Sequence, residues 1–156
     1  VDIVNDNMYS AKLGGFKLKE NAKLPTNGSH HAACYDLYSC SDAPIVMDPR
    51  ERVLIPTGLV LDIPRGFSAR IHTRSGMAAK KGIGLSVSEG IIDSDYVEEV
   101  FVPMVNNTNK MFYIYPGDRI AQLELVREIV TDVYETEERP EQKTDRDGGF
   151  GSTGVK

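Results

Sequence analysis

Short runs in which apolar and polar positions alternate dominate this chain, with turn residues between them. Phe16 and Leu18 alternate with Lys17 and Lys19, a two-residue period that predicts a short strand. From Arg52 onward, turn signals recur about every ten residues, at Pro56-Thr57-Gly58, Pro64-Arg65-Gly66, Glu89-Gly90, Asn106-Asn107 and Pro116-Gly117. Between them Leu59, Leu61 and Ile63 share one strand face, and Phe67, Ala69 and Ile71 oppose Ser68, Arg70 and His72. Val100, Val102 and Met104 likewise oppose Phe101 and Val105. Pro103 has no N–H to donate, which predicts that this last strand is an edge or a bulged one.

The segment from Ile120 to Tyr134 is long enough for a helix, yet its period is that of a strand. Ala121, Leu123 and Leu125 alternate with Gln122 and Glu124, and the β-branched Val126, Ile129, Val130, Thr131 and Val133 follow. One helix is expected, capped by Ser75, propagated by Met77-Ala78-Ala79-Lys80-Lys81 and ended by Gly82. Short strands at regular spacing with Pro and Gly turns predict an all-β sandwich or barrel.

The pattern stops after Tyr134. From Glu135 to Lys156 the only sizeable apolar groups are Pro140, Phe150 and Val155, too few to offset the entropy of ordering the segment. The expected organisation is therefore one β domain over 1–134 and a flexible, Gly-rich arm over 135–156. A chain of 156 residues is long enough to bury a core without disulfides or a structural metal.

Charge and cysteine content narrow the classes of function. The net charge of −5 argues against a nucleic-acid partner, since such binding rests on clustered Lys and Arg. No apolar run approaches the roughly 20 residues of a membrane span, and no secretory leader is visible, so no membrane partner is expected. Cys34 and Cys40 form no CxxC pair and have no zinc-ligand spacing with histidine. Free thiols point to a reducing, cytoplasmic setting.

Four stretches carry groups suited to chemistry. Thr73-Arg74-Ser75-Gly76 opens the short helix, where backbone N–H groups, a guanidinium and a hydroxyl suit a phosphate; the plainer reading is a cap beside a solvated arginine. In Gly90-Ile91-Ile92-Asp93-Ser94-Asp95-Tyr96, a strand-end Asp93 beside an apolar pair suits a general base, and an Asx-turn is the plainer reading. Gly117-Asp118-Arg119-Ile120-Ala121-Gln122 reads as a turn with a local Asp–Arg pair. The tail Gly148-Gly149-Phe150-Gly151-Ser152-Thr153-Gly154 has backbone that can wrap an anion, with Arg146 to pair a phosphate and Phe150 to stack on a base. His30, His31 and His72 have no nucleophile arranged beside them and read as structural or surface residues.

Taken in order, Ala32-Ala33-Cys34-Tyr35-Asp36-Leu37-Tyr38-Ser39, then Arg74-Ser75-Gly76-Met77-Ala78, then Gly90 to Tyr96, then Gly117 to Leu125, then Gly148 to Gly154 resemble the motifs of the homotrimeric dUTP pyrophosphatases, or dUTPases. The resemblance runs from about Phe16 to the end of the chain. It implies a jelly-roll-like β-barrel, assembled as a homotrimer whose active sites each draw on all three subunits. The implied activity is Mg²⁺-assisted hydrolysis of dUTP to dUMP and pyrophosphate, which keeps uracil out of DNA and supplies dUMP for dTTP synthesis.

The resemblance also assigns roles. Asp93 matches the general base that activates water, and Gln122 the residue that helps hold phosphate and water. Arg74, Ser75 and Gly76 match the phosphate site. Tyr96 matches the aromatic that packs on the deoxyribose and excludes a 2′-hydroxyl. The backbone from Val87 to Gly90 would read uracil. Asp36 matches a supporting acid that orders the arginine or metal-bound water. Arg146, Phe150 and Gly151 match the arm that pairs the γ-phosphate and covers the base. Magnesium is expected on the substrate phosphates and water rather than on protein side chains.

The chain departs from the family pattern at several positions. Cys34 stands for a usual Gly, Thr73 for a Pro, and Val97-Glu98 for Arg-Gly, while only Asp147 and Gly148 separate Arg146 from Gly149-Phe150. None of these changes removes a group that performs chemistry. The dCTP deaminases, which share the fold, place a catalytic Glu in the strand after the third motif, whereas Phe101 to Asn106 contain no acid here.

Overall fold

The computed structural model describes residues 10–145 together with 148 and 149. Eleven strands and one helix follow one another in these residues. The strands are β1 (Gly14–Lys17), β2 (Tyr35–Tyr38), β3 (Ile45–Met47), β4 (Arg52–Pro56), β5 (Leu59–Asp62) and β6 (Phe67–His72), then β7 (Ile83–Leu85), β8 (Gly90–Ile92), β9 (Phe101–Asn106), β10 (Phe112–Ile114) and β11 (Arg119–Arg127). Helix α1 (Ser75–Lys81) lies between β6 and β7. They form a four-stranded sheet β2-β11-β6-β8, a three-stranded sheet β4-β9-β7 and the pairs β1-β5 and β10-β3. Every ladder is antiparallel. The ladders do not join into a closed barrel; they wrap one core, as a jelly roll does.

That core is built from the alternating faces of the sequence. Leu61, Ile63, Ala69, Ile71, Val100, Val102 and Met104 are all buried in one cluster, and Leu59 in a small neighbouring one. The longest strand, β11, contributes Ala121 and Leu123, both fully buried, while Gln122 and Glu124 stay on the polar face of the four-stranded sheet.

Three expectations change. First, β9 is the central strand of its sheet, not an edge. Pro103 fits there because its carbonyl accepts the Ser86 N–H at 2.9 Å and no N–H is returned, so the ladder to β7 ends at that point. Second, the cap of α1 is Arg74, with extended backbone and no side-chain cap bond; Ser75 is the first helical residue. Gly82 does end the helix, in the left-handed conformation at φ 66° that a β-carbon disfavours. Third, β11 stops at Arg127, and Ile129, Val130, Val133 and Tyr134 are at least 78% exposed, so the β-branched run after it extends no ladder among the described residues. Phe16, on β1, is likewise exposed.

One buried polar residue ties the β3–β4, β9 and β10 regions together. Asn106 is fully buried; its Nδ2 donates to the Met47 carbonyl at 3.0 Å and the Lys110 carbonyl at 2.7 Å. Its Oδ1 accepts from the Thr108 N–H at 3.0 Å and hydroxyl at 2.8 Å. Asn106→Ala strands all of these partners at once, and is expected to lower stability by about 2–4 kcal/mol. Urea unfolding at fixed protein concentration measures it; a loss under about 1 kcal/mol would show that the network is dispensable.

Candidate functional site

The polar face of the four-stranded sheet gathers one group of predicted residues. Gln122 on β11 pairs in register with Asp36 on β2 and His72 on β6, so these three side chains form a row across the sheet. The Asp36 side chain, 13% exposed, stands between two arginines: Arg74 Nε lies 3.3 Å from its Oδ1 and Arg119 Nη1 lies 3.5 Å from its Oδ2. Arg74 Nη1 also donates to the Arg119 carbonyl at 3.3 Å. Asp36 Oδ1 and Arg74 Nε are buried and close, but lack the alignment of a hydrogen bond. The carboxylate therefore orients the arginine by charge while leaving its donors incompletely used. Ser75 and Gly76 follow Arg74 directly, and both are exposed. A β-carbon at Gly76 would meet nothing within 4 Å, so the space over the helix start is open.

Arg119 is a member of this group that the sequence alone did not single out. The expected local Asp118–Arg119 pair is absent among the described residues: Asp118 instead accepts the Tyr115 N–H at 2.8 Å, closing a turn, which leaves Arg119 to reach Asp36. His72 faces Glu124, with Nε2 at 3.1 Å from Oε1. Burial, then the nearby Glu124 and Asp36 charges, push the Cys34 thiol up, which disfavours the thiolate.

A second group lines a cavity of about 400 Å³. Val87, Gly90, Asp93 and Tyr96, all predicted, are joined there by Glu89, which lies within the predicted Val87–Gly90 segment, and by Phe101 and Pro103, which were not predicted. Apolar Ile71, Leu85 and Val100 form part of its wall. The Tyr96 backbone N–H donates to the Asp93 carbonyl at 3.1 Å and its hydroxyl to the Glu99 carbonyl at 2.9 Å, so the residue is tied at its backbone and at the hydroxyl end of its ring. Gly90 stands in a close approach of two strands: a β-carbon there would lie 3.0 Å from the Ile71 β-carbon on the paired strand, which would have to shift by a few tenths of an ångström to admit it.

The connection into this group is not a paired hairpin. β7 belongs to the three-stranded sheet and β8 to the four-stranded one, so residues 86–89 cross from one sheet to the other. The backbone N–H and C=O groups of Val87 and Ser88 have no backbone partner among the described residues. Glu89 at the end of the crossing pairs with Arg70, which also meets Ser68 and Glu128. The Ser68 hydroxyl and then the Arg70 guanidinium hold the Glu128 carboxyl below its ordinary value.

The two groups are separate surfaces of one chain. The cavity lining carries two carboxylates, Glu89 and Asp93, and no cation, and none of Asp36, Arg74, Ser75, Gly76 and Gln122 belongs to it. A larger cavity of about 690 Å³, walled by Leu13, Leu24, Tyr35, Phe67 and Leu125, contains no predicted site residue. Among the described residues no three His, Cys, Asp or Glu side chains are grouped to hold a metal ion, and no helix is long and apolar enough to cross a membrane. Arg146, Phe150 and Gly151 lie outside the described residues.

A family model described as dUTPase matches residues 20–154. A deoxyuridine 5′-triphosphate nucleotidohydrolase of Hydrogenobaculum sp. is 42% identical over 140 residues, covering 90% of this chain and 96% of that protein. Among solved structures, a Staphylococcus bacteriophage 80alpha dUTPase with dUPNHPP superposes with a TM-score of 0.83 at 25% identity, over 94% of this chain and all of that one. A mutant dUTPase from phage phi11 of S. aureus, described with a coordinated structural Mg(II) ion, superposes with a TM-score of 0.74 at 24% identity, over 82% of this chain and 98% of that one.

Proposed function

The chain belongs to the dUTPase family and is a dUTP diphosphatase that hydrolyses dUTP to dUMP, and on that premise we propose that it works from a site shared between subunits of a homotrimer, with Asp93 as base. One observation carries the shared site: the base-and-sugar cavity holds carboxylates and no cation, while the cations sit apart on the polar sheet face. The lining of that cavity by itself offers a triphosphate no cation. Placing the Arg74 surface of one subunit against the Asp93 cavity of another brings phosphate binders and base together. The arm of 135–156, with Arg146, Phe150 and Gly151, closes over the nucleotide.

In this reading the free backbone groups of Val87 and Ser88, with Gly90, meet the uracil edge. Cytosine presents the reverse pattern at N3 and C4, and leaves those groups unpaired, which rejects it by several-fold to many-fold factors. Asp93 accepts a proton from water, and the oxygen attacks the α-phosphorus. The bond from that phosphorus to the bridging oxygen breaks, and pyrophosphate leaves with the electron pair. Gln122 orients water and phosphate, Arg74, Ser75 and Gly76 bind the phosphates, and Asp36 keeps Arg74 in place.

Magnesium carried by the triphosphate suits this donor set, since Asp36 is taken up by two arginines and the described residues group no ligand cluster. Bound there, the ion would neutralise charge developing on the leaving pyrophosphate.

Pyrophosphate release from dUTP, dCTP, UTP and dTTP tests the activity and its selectivity in one assay. Turnover of dUTP alone supports the reading, and equal turnover of dCTP would overturn the uracil site.

Sugar selectivity gives a separate expectation. The Tyr96 ring, held through its hydroxyl, walls the cavity beside Asp93. Tyr96→Ala opens space at the 2′ position, so the ratio of kcat/KM for dUTP over UTP should narrow by about tenfold or more. A ratio equal to the parent's would place the 2′ discrimination elsewhere.

A further inference from the structure

The crossing at 86–89 bears the groups assigned to uracil, yet no ladder supports it, since its flanking strands pair in different sheets. At one end the Ser86 N–H reaches Pro103, and at the other Gly90 pairs with Ile71. Among the described residues the one side-chain tether of the crossing is Glu89 to Arg70, at 3.2 Å. Arg70 sits on β6 with its side chain 21% exposed, and it is itself held. Its Nε donates to the Ser68 hydroxyl at 2.9 Å and its Nη2 to Glu128 Oε1, the same oxygen that Ser68 meets. With those donors committed, the guanidinium loses little further freedom when it binds Glu89.

We propose that Arg70 is a positioning residue for nucleotide recognition: clamped by Ser68 and Glu128, it fixes Glu89 and so sets the place of the Val87–Gly90 backbone that meets the base. This rests on the reading of the cavity as the base-and-sugar site. Arg70 touches neither the phosphates nor the attacking water in that reading, so its loss acts on binding. A partly exposed ion pair contributes little to global stability, so a binding effect is separable from unfolding.

The test is steady-state kinetics of the full-length protein with dUTP and dCTP for the parent, Arg70→Gln, Glu89→Gln, the double variant and Arg70→Lys. Arg70→Gln and Glu89→Gln should each raise KM for dUTP by about threefold to tenfold with kcat within about twofold, and the double variant should be no worse than either. Arg70→Lys, which keeps the charge and loses the planar fork, should fall between parent and Arg70→Gln. Thermal midpoints should stay within a few degrees of the parent. Parental KM in both single variants, or effects that multiply in the double variant, would overturn the tether. A kcat that falls while KM stays would assign Arg70 to chemistry or to folding instead. The parent's own preference for dUTP over dCTP is the separate check: without it the cavity reading fails, and with it a silent Arg70→Gln overturns the tether alone.

Discussion

Asp93→Asn should lower kcat for dUTP by about two to four decades while nucleotide affinity is largely kept, because the substitution preserves volume and removes the proton acceptor. The position supports this. Asp93 borders the cavity, is exposed, and shares its wall with a tyrosine whose ring is held through its hydroxyl. Rapid-quench turnover and equilibrium binding separate the two quantities, and near-parental kcat would remove Asp93 from the role of base. The same variant probes the shared site. Mixed with Arg74→Ala, which lacks the phosphate cation, it should form hybrid trimers that regain activity if base and cation come from different subunits. Mixtures no more active than their parts would place both groups in one chain's site.

A chain ending at Asp145 should stay folded and trimeric, with an unfolding midpoint near the parent's, and should lose about two decades or more of kcat/KM for dUTP. Among the described residues regular structure ends at Arg127 and every residue from 127 to 145 is exposed, and beyond 145 the sequence carries only Phe150 and Val155 as sizeable apolar groups, so the truncation is expected to cost the core little. What it removes is Arg146, Phe150 and the glycines around them, whose side-chain chemistry suits a phosphate and a base rather than a core. Light scattering after size exclusion and a pyrophosphate assay read both outcomes on the same sample. A truncated trimer with parental turnover would leave the arm without a catalytic part. A truncated chain that dissociates would make it a strap between subunits.

The parts of the candidate site legible in the sequence were those carried by contiguous residues. Arg74-Ser75-Gly76 and Gly90 to Tyr96 each place their groups through a single turn or strand end, so reading the string is nearly reading the geometry. Arg119, Phe101 and Pro103 were not legible, because each joins its group of candidate residues from a distant stretch of the chain. Arg119 is the clearest instance. Asp118 beside it invites a local pair, but closing the Tyr115 turn takes up that carboxylate, and the arginine goes to Asp36, 83 residues away.

By itself the sequence determined the strands whose burial is one-sided. Leu59, Leu61 and Ile63, or Val100, Val102 and Met104, must face a core wherever the sheet lies, since a two-residue period puts them on one side. It also determined the end of α1 at Gly82, because a left-handed cap is a local demand on the backbone. Tertiary structure alone decided which strands are neighbours. That choice made β9 central in spite of Pro103, sent β7 and β8 to different sheets, and left Ile129 to Tyr134 outside every ladder of the described residues. The physical reason is that periodicity specifies which face of a strand is apolar, whereas partner and register depend on the backbone hydrogen bonds and packing offered by segments far away in the chain.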